Sequence, residues 1–215
     1  MIKKKQHTRG LFKSIVMIII VFLMSALHSI GKPEGSEPAE HFPARIDSTK
    51  LIPGLAVLYF YEFWARHLDA LPAGEKAVAM GKPGAPIPYL NHKFGRGKVF
   101  GSGERRGVGM QMDGYLNMLK PGEYWFKALA NDGIRVFVNN QLVVDDPGWH
   151  KDGDRYSEPL SIKIAKPGWF PVRVRYFQRK GTATLKLYWK KPGDKKFTII
   201  PPKAYAHTTS QGVKK

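Results

Sequence analysis

The sequence predicts an all-β fold, an antiparallel β-sandwich or barrel preceded by an N-terminal apolar helix. Two observations predict the β domain. From residue 108 to residue 200, apolar and polar residues alternate in short runs, which is the period of a strand with one buried face. Turn sequences break these runs about every ten residues, as in sandwiches and barrels; they include Pro121-Gly122, Pro167-Gly168 and Arg179-Lys180-Gly181. Sheets with one apolar face are expected to pack on that face.

Residues 1–31 have the pattern of a signal peptide or an N-terminal membrane anchor. An apolar run from Ile15 to Met24, which can be extended to Ile30, follows five basic residues. Ser29-Ile30-Gly31 offers small residues for cleavage. Without cleavage, residues 14–30 are just long enough to contact and span a membrane. Both alternatives predict an exported protein, located in the periplasm, at the cell surface or outside the cell.

Residues 32–50 are polar and rich in Pro and Glu, which predicts a linker. The β domain is expected to occupy residues 51–203. Within it, Leu55 to Tyr61 is an apolar run typical of a buried strand, and Glu62 to Ala70 is expected to form one or two helical turns. Residues 72–107 are rich in Gly, Pro and basic residues, which predicts a long loop region with one edge strand.

The end of the domain contains a predicted hairpin and a predicted tail. Asn139-Asn140 is a suitable two-residue hairpin loop, because Asn tolerates positive φ. Residues 204–215 are polar towards their end and are expected to form a flexible tail.

The composition excludes several chemistries and indicates anionic partners. The chain has no cysteine, so a disulfide, a zinc–thiolate site and a thiol nucleophile are excluded. Its formal net charge of +18 attracts anionic partners, such as an acidic polymer or an envelope protein, although a solvated basic surface is the simpler alternative. No nucleic-acid motif accompanies the charge, so nucleic acid is not an expected partner.

The sequence predicts a protein without catalytic activity. The glycine-rich loops around Gly95 and Gly101 fit neither a phosphate-binding loop nor a dinucleotide fingerprint. No sequence pattern pairs two of the candidate carboxylates as a glycosidase would need; these candidates are Glu62, Asp69, Glu75 and Glu104.

Two groups of residues are candidates for binding. The loop DDPGWHKDGD contains Asp145, Asp146, Asp152 and Asp154, which can line a hard-cation site or can form a solvated acidic loop. The aromatic residues Trp149 and Tyr156 lie in or beside turns, where they can stack on a sugar ring or cap the core. His150 is a third candidate for ligand binding, or a hydrogen-bonded loop histidine.

The sequence resembles the PA-14 domain family, found in fungal flocculins, adhesins and glycosidases. The resemblance covers about residues 51–202 and depends on several motifs together. These motifs are Gly54-Leu55, Gly114-Tyr115-Leu116, Pro121-Gly122-Glu123-Tyr124, Asn131-Asp132-Gly133, Leu142-Val143-Val144-Asp145, Pro167-Gly168 and residues 185–189.

The resemblance implies an antiparallel β-sandwich or barrel and a possible calcium site. In sugar-binding members, two adjacent acidic residues joined by a cis peptide hold a calcium ion, which takes two sugar hydroxyls as ligands. The matching positions here are Asn131 and Asp132, so a neutral amide replaces the first carboxylate. The same three residues, Asn131-Asp132-Gly133, are also standard turn residues.

The resulting hypothesis is an exported, non-catalytic carbohydrate-binding module, assisted by calcium on Asn131 and Asp132, with Trp149 or Tyr156 stacking on the sugar. The alternative is a structural or assembly protein of the cell envelope that binds an acidic partner through its basic surface.

Overall fold

Two antiparallel β-sheets pack face to face in the computed structural model, which describes residues 46–150 and 155–209. All of these residues lie in one unit, Glu37–Lys215. The predicted signal or anchor, the predicted apolar helix and most of the predicted linker lie outside the described residues. Among the residues that are described, no helix is long and apolar enough to cross a membrane.

The strands, in chain order, are β1 (Ile52–Pro53), β2 (Leu55–Phe60), β3 (Lys82–Ile87), β4 (Asn91–Gly95), β5 (Val108–Met118), β6 (Gly122–Asn131), β7 (Ile134–Val138), β8 (Gln141–Asp146), β9 (Leu160–Ile164), β10 (Gly168–Gln178), β11 (Ala183–Lys190), β12 (Thr198–Ile199) and β13 (Tyr205–His207). The helix α1 spans Gly74–Met80, and short 3-10 helices span Ser48–Lys50, Leu68–Ala70, Phe100–Ser102 and Pro202–Ala204.

One sheet has eight strands and the other has five. The eight-stranded sheet runs β1-β13-β5-β10-β7-β8, with β2 also paired to β5 and β3 paired to β2. The five-stranded sheet runs β12-β11-β6-β9, with β4 also paired to β11. Consecutive strands often change sheets: β5 and β6 belong to different sheets, as do β6 and β7. The predicted turns at these places are therefore crossings between the two layers.

The alternation of apolar residues builds the core between the sheets. Along β11 every second residue is buried, from Ala183 to Trp189, and these side chains face buried residues of the opposite sheet in one cluster. The intervening residues of β11 are half-buried and point away from the core. The sandwich predicted from the alternation is confirmed.

The outer face of the eight-stranded sheet is also covered, which the sequence did not indicate. Residues 61–80 fold back over it, and Phe63, Leu68 and Leu71 pack against Phe177 of β10 in a second apolar cluster. The alternating arginines of β10 are therefore buried rather than solvated. Arg173 is paired with Asp113 at 2.7 Å, and Arg175 donates to the backbone carbonyl of Leu71. Burial lowers the pKa of Arg175 to about 10.

Three segments differ from the sequence prediction. Residues 72–107 contain α1, β3 and β4 instead of a long loop with one edge strand, because β3 completes the sheet beside β2 despite its Gly and Pro residues. In residues 62–70 only Leu68–Ala70 is helical, as a 3-10 turn. The flexible tail predicted for residues 204–215 is wrong at Tyr205–His207, which form a buried strand paired with β5; residues 210–215 lie outside the described residues.

Two local predictions are confirmed. The apolar run that begins at Leu55 forms the buried strand β2. Asn139 and Asn140 have φ values of 50° and 60° and join β7 to β8 as a hairpin. Positive φ at both loop residues is the geometry that matches the twist of the flanking strands.

Candidate functional site

The segment Asn131-Asp132-Gly133 carries the chain from one sheet to the other. Asn131 ends β6 in the five-stranded sheet, and Ile134 begins β7 in the eight-stranded sheet. The peptide bond between Asn131 and Asp132 is cis, as the resemblance implies for this pair. Gly133 is required by space, because a Cβ atom there would lie 2.6 Å from the ring of Phe177 and from the carbonyl oxygen of Pro147.

The carboxylate of Asp132 is buried and connects three loops. Its Oδ2 accepts a hydrogen bond from the backbone N–H of Arg179 at 2.6 Å, and its Oδ1 accepts from the backbone N–H of His150 at 3.4 Å. The backbone of Lys180 also contributes a hydrogen bond. Burial raises the pKa of Asp132, and the three amides partly oppose that effect. Through these hydrogen bonds, Asp132 connects the β6–β7 crossing with the loop after β8 and with the β10–β11 turn.

The backbone carbonyl and the side-chain amide of Asn131 have different partners. The buried hydroxyl of Tyr176 donates to the backbone carbonyl of Asn131 at 2.6 Å, and burial raises the pKa of that tyrosine well above its ordinary value. The side-chain Nδ2 of Asn131 donates to Thr182 Oγ1 at 3.4 Å.

The acidic residues at the end of β8 form ion pairs. The side chain of Asp145 accepts from Arg135 Nε at 2.8 Å, and the same guanidinium reaches Asp69 at 3.0 Å. Asp146 accepts from His150 Nε2 at 2.8 Å and from Arg155 at 3.1 Å. The hydrogen bond to Asp146 raises the pKa of His150, against an opposing effect of burial.

The oxygens that the resemblance assigns to calcium already have hydrogen-bond or ion-pair partners. Calcium prefers six to eight oxygen ligands, several of them carboxylates. Here both oxygens of Asp132 accept backbone hydrogen bonds, and the backbone carbonyl of Asn131 accepts from Tyr176. Asp145 and Asp146 are paired with basic side chains. Over residues 46–150 and 155–209, no group of three His, Cys, Asp or Glu side chains could hold a metal ion. Asp152 and Asp154 lie outside the described residues.

Two exposed tryptophans flank the segments that Asp132 connects. Trp149 is 43% exposed; its backbone N–H donates to the carbonyl of Arg66 at 2.9 Å, and the Arg66 guanidinium lies 5.4 Å from the centre of its ring. Trp64 is 41% exposed, and its backbone carbonyl accepts from Arg179 Nε at 2.9 Å. We call the set Trp64, Arg66, Trp149 and Arg179 the loop-end site.

Trp64 and Arg66 were not among the sequence-predicted site residues, because residues 62–70 were expected to form helical turns. Of this segment only Leu68–Ala70 is helical, and a bridge between His67 and Gly148 places it beside the loop after β8. The available signal was a tryptophan two residues before Arg66 in a stretch without periodicity.

The other sequence-predicted ligand residues are separated. His150 lies beside Trp149 in the chain, but its ring contacts Asp146. Tyr156 packs against Lys127 and Tyr188 on the outer face of the five-stranded sheet. Trp149 and Tyr156 therefore sit in different surroundings.

Known proteins share this fold. The family model of the PA14 domain matches residues 99–203. The A domain of Epithelial Adhesin 9 from Candida glabrata, solved in complex with Galβ1-4GlcNAc, superposes with a TM-score of 0.59 at 12% identity, over 78% of this chain and 94% of that one. A PA14 sugar-binding domain from an RTX adhesin superposes with a TM-score of 0.50 at 17% identity, over 73% of this chain and 99% of that one.

A curated relative is bacterial. The anti-sigma-I factor RsgI3 of Acetivibrio thermocellus is 31% identical over 81 residues, which are 38% of this chain and 12% of the relative. The chain thus matches only about an eighth of that protein's length. Together, the family match and the structural neighbours confirm the resemblance to PA14 domains.

We expect Asp132→Ala to lower the free energy of unfolding by about 1–3 kcal/mol, because buried backbone amides would lose their acceptor. Urea denaturation of the full chain measures this change. Asp69→Ala is the charge-matched control, and since Asp69 is exposed and Arg135 keeps Asp145 as a partner, we expect a loss of at most about 1 kcal/mol. Equal losses in the two variants would contradict the role given to Asp132.

We expect the pair His150–Asp146 to make stability depend on pH. Because the folded state raises the pKa of His150, the stabilisation is complete below about pH 6.5, the unfolded pKa, and is lost as pH rises through the folded pKa. Asp146→Asn should flatten this dependence in urea unfolding and lower the pKa of His150 in an NMR titration. The pKa of His92, which burial lowers, is an internal reference that should not move. An unchanged His150 pKa in the variant would contradict the assignment.

Proposed function

We propose that this chain, with its PA14 domain, is an exported, non-catalytic carbohydrate-binding module that holds a glycan at the loop-end site. The observation that carries the proposal is the pair of exposed tryptophans, Trp64 and Trp149, on segments joined through Arg66, Arg179 and Asp132. Aromatic rings offer a large contact area to the C–H face of a sugar at low entropic cost.

The site holds its binding groups in place before a ligand arrives. The backbone of Trp149 is hydrogen-bonded to Arg66, and the indole Nε1 of Trp64 donates to Glu62 at 2.8 Å. The ring of Trp64 lies against Gly107, where a Cβ atom would come within 2.7 Å of it. Such prior ordering reduces the entropy lost on binding. The guanidinium groups of Arg66 and Arg179 supply N–H donors for sugar hydroxyls.

Structural neighbours support a carbohydrate ligand. An adhesin domain solved with a galactose-containing disaccharide and a sugar-binding adhesin domain both share this fold. Adhesin domains act outside the cell, which agrees with the export segment predicted for residues 1–31. Their names describe binding rather than turnover, in keeping with a non-catalytic module.

The proposed binding does not use calcium. The oxygens that would hold the ion accept hydrogen bonds from backbone amides and from Tyr176, so sugar recognition is assigned to the tryptophans and arginines of the loop-end site. Asp132 contributes by fixing the positions of the loops that carry Trp149 and Arg179.

A second candidate function is an envelope protein that docks an acidic partner. The net charge of +18 favours it, because such a charge attracts anionic surfaces over a long range. Failure of the chain to bind any neutral glycan would favour this second function over the first.

We expect Trp64→Ala and Trp149→Ala each to weaken glycan binding by at least about tenfold, because each removes an aromatic contact. A neutral glycan array that includes Galβ1-4GlcNAc identifies the ligand, and titration of the full-length chain with that ligand measures the change. EDTA should leave the affinity unchanged.

The matched control is Trp169→Ala. Trp169 lies at the start of β10, and Arg179 directly follows the last residue of that strand. At the rise per residue of a β-strand, the two residues are about 30 Å apart. Binding should persist in this variant. Absence of glycan binding by the natural chain, or equal loss in all three variants, would contradict the proposal.

A further inference from the structure

A second surface with its own chemistry lies on the outer face of the five-stranded sheet. Side chains of β6 and β11 that point away from the core alternate there between lysine and aromatic residues. We call this surface the lysine–aromatic face; it consists of Trp125, Lys127, Tyr156, Tyr188, Lys190 and Phe197.

The strand register produces this alternation. Lys127 of β6 lies directly opposite Tyr188 of β11, and Trp125 lies directly opposite Lys190. The two lysines are therefore diagonal neighbours across the strand pair, on the same side of the sheet. Each has an aromatic residue as its direct cross-strand partner.

The aromatic rings hold the two ammonium groups in place. The Nζ of Lys127 lies 3.7 Å from the ring centre of Tyr156 and 4.8 Å from that of Phe197. The Nζ of Lys190 lies 5.4 Å from the ring centre of Trp125 and 5.6 Å from that of Phe197. Phe197 is thus shared by both lysines. A cation over an aromatic face is attracted to it, so these lysines are more restricted than ordinary surface lysines.

Carboxylates of the described residues do not neutralise this charge. Over residues 46–150 and 155–209, no ion pair joins Lys127 or Lys190 to an acidic side chain. The acid on the same face of β6 is Glu123, which accepts a hydrogen bond from Ser161 at 2.8 Å. Lys186, also outward on β11, adds a further positive charge. Over the described residues, both ammonium groups therefore have aromatic rings rather than carboxylates as their close neighbours.

The outer face of the eight-stranded sheet, by comparison, is partly covered by another segment of the chain. There, residues 61–80 cover part of the surface, and the outward Arg175 is buried and donates to the backbone carbonyl of Leu71. Among the described residues, no comparable segment covers Trp125, Lys127, Tyr188 or Lys190, which remain half-exposed. The lysine–aromatic face is open to a partner.

From this arrangement we infer that the lysine–aromatic face binds an anionic polysaccharide whose sugar rings carry carboxylates. The two ammonium groups, at diagonal positions of neighbouring strands, attract carboxylates of the polymer, and the partly exposed aromatic side chains add apolar contact with its sugar rings. Single-stranded nucleic acid fits less well, because its bases need open ring faces, and the lysines lie over the faces of Tyr156 and Trp125. This surface is separate from the loop-end site.

The test compares polygalacturonate with its methyl ester, which has the same sugar rings without the charge. Binding of the full-length chain to each immobilised polymer is measured at rising salt. We expect binding to polygalacturonate that weakens with salt, and little binding to the ester. Absence of polygalacturonate binding, or equal binding of both polymers, overturns the inference.

Two double variants separate this face from general positive charge. The variant Lys127→Gln/Lys190→Gln should lose at least about tenfold in affinity for polygalacturonate. The control Lys76→Gln/Lys82→Gln removes the same charge from exposed positions elsewhere, including Lys82 over the ring of Tyr61, and should lose at most about twofold. Equal losses show non-specific attraction and overturn the inference.

A third variant tests the positioning of the lysines without changing charge. Phe197→Leu keeps an apolar side chain but removes the shared ring, and we expect about threefold weaker binding to polygalacturonate. An unchanged affinity contradicts the role of the ring. Thermal unfolding of each variant confirms that it is folded.

Two further measurements identify the ligand and the site. The choice of ligand is overturned if a single-stranded oligonucleotide binds the natural chain more tightly than polygalacturonate does and no longer binds the double lysine variant. Trp149→Ala should still bind polygalacturonate, and the double lysine variant should still bind neutral glycan, so failure of one site is distinguishable from failure of the other.

Discussion

The buried carboxylate of Asp132 is the constraint on which the loop end depends. It lies where the chain crosses between the sheets, and it accepts backbone hydrogen bonds from the loop that carries Trp149 and His150 and from the turn that carries Arg179. A buried carboxylate without hydrogen-bond donors would lower the stability of the fold, and so would buried amides without an acceptor. The hydrogen bonds between them meet both requirements. The loops are thereby held together by one internal side chain.

The two sheets of the sandwich serve different purposes outside the shared core. Residues 61–80 cover part of the outer face of the eight-stranded sheet, and the same segment places Trp64 and Arg66 at the loop end. The five-stranded sheet keeps its outer face open, with lysines held against aromatic rings. The loop-end site and the lysine–aromatic face, for which we propose different ligands, thus lie on different parts of the fold.

The sandwich was predictable from the sequence because period-2 alternation in β6 and β11 follows directly from one-sided burial. The Asn139-Asn140 hairpin was predictable for a local reason, the tolerance of Asn for positive φ. By contrast, β3 has Gly and Pro residues and no apolar pattern, and it is a strand because β2 offers a free edge. The burial of Arg175 depends on a segment about a hundred residues away in the chain, which no local pattern reveals. The loop-end site likewise joins Trp64 to Arg179 through tertiary contacts.

The claim that Asp132 replaces a metal as the link between these loops is tested most directly by calorimetric titration of the full-length chain with calcium. The account predicts no heat beyond dilution up to about 1 mM calcium, a range that covers strong and moderate protein sites. Uptake of one calcium ion per chain that disappears in Asp132→Ala would contradict it, and would return the binding of sugar at this loop to a metal-assisted mechanism.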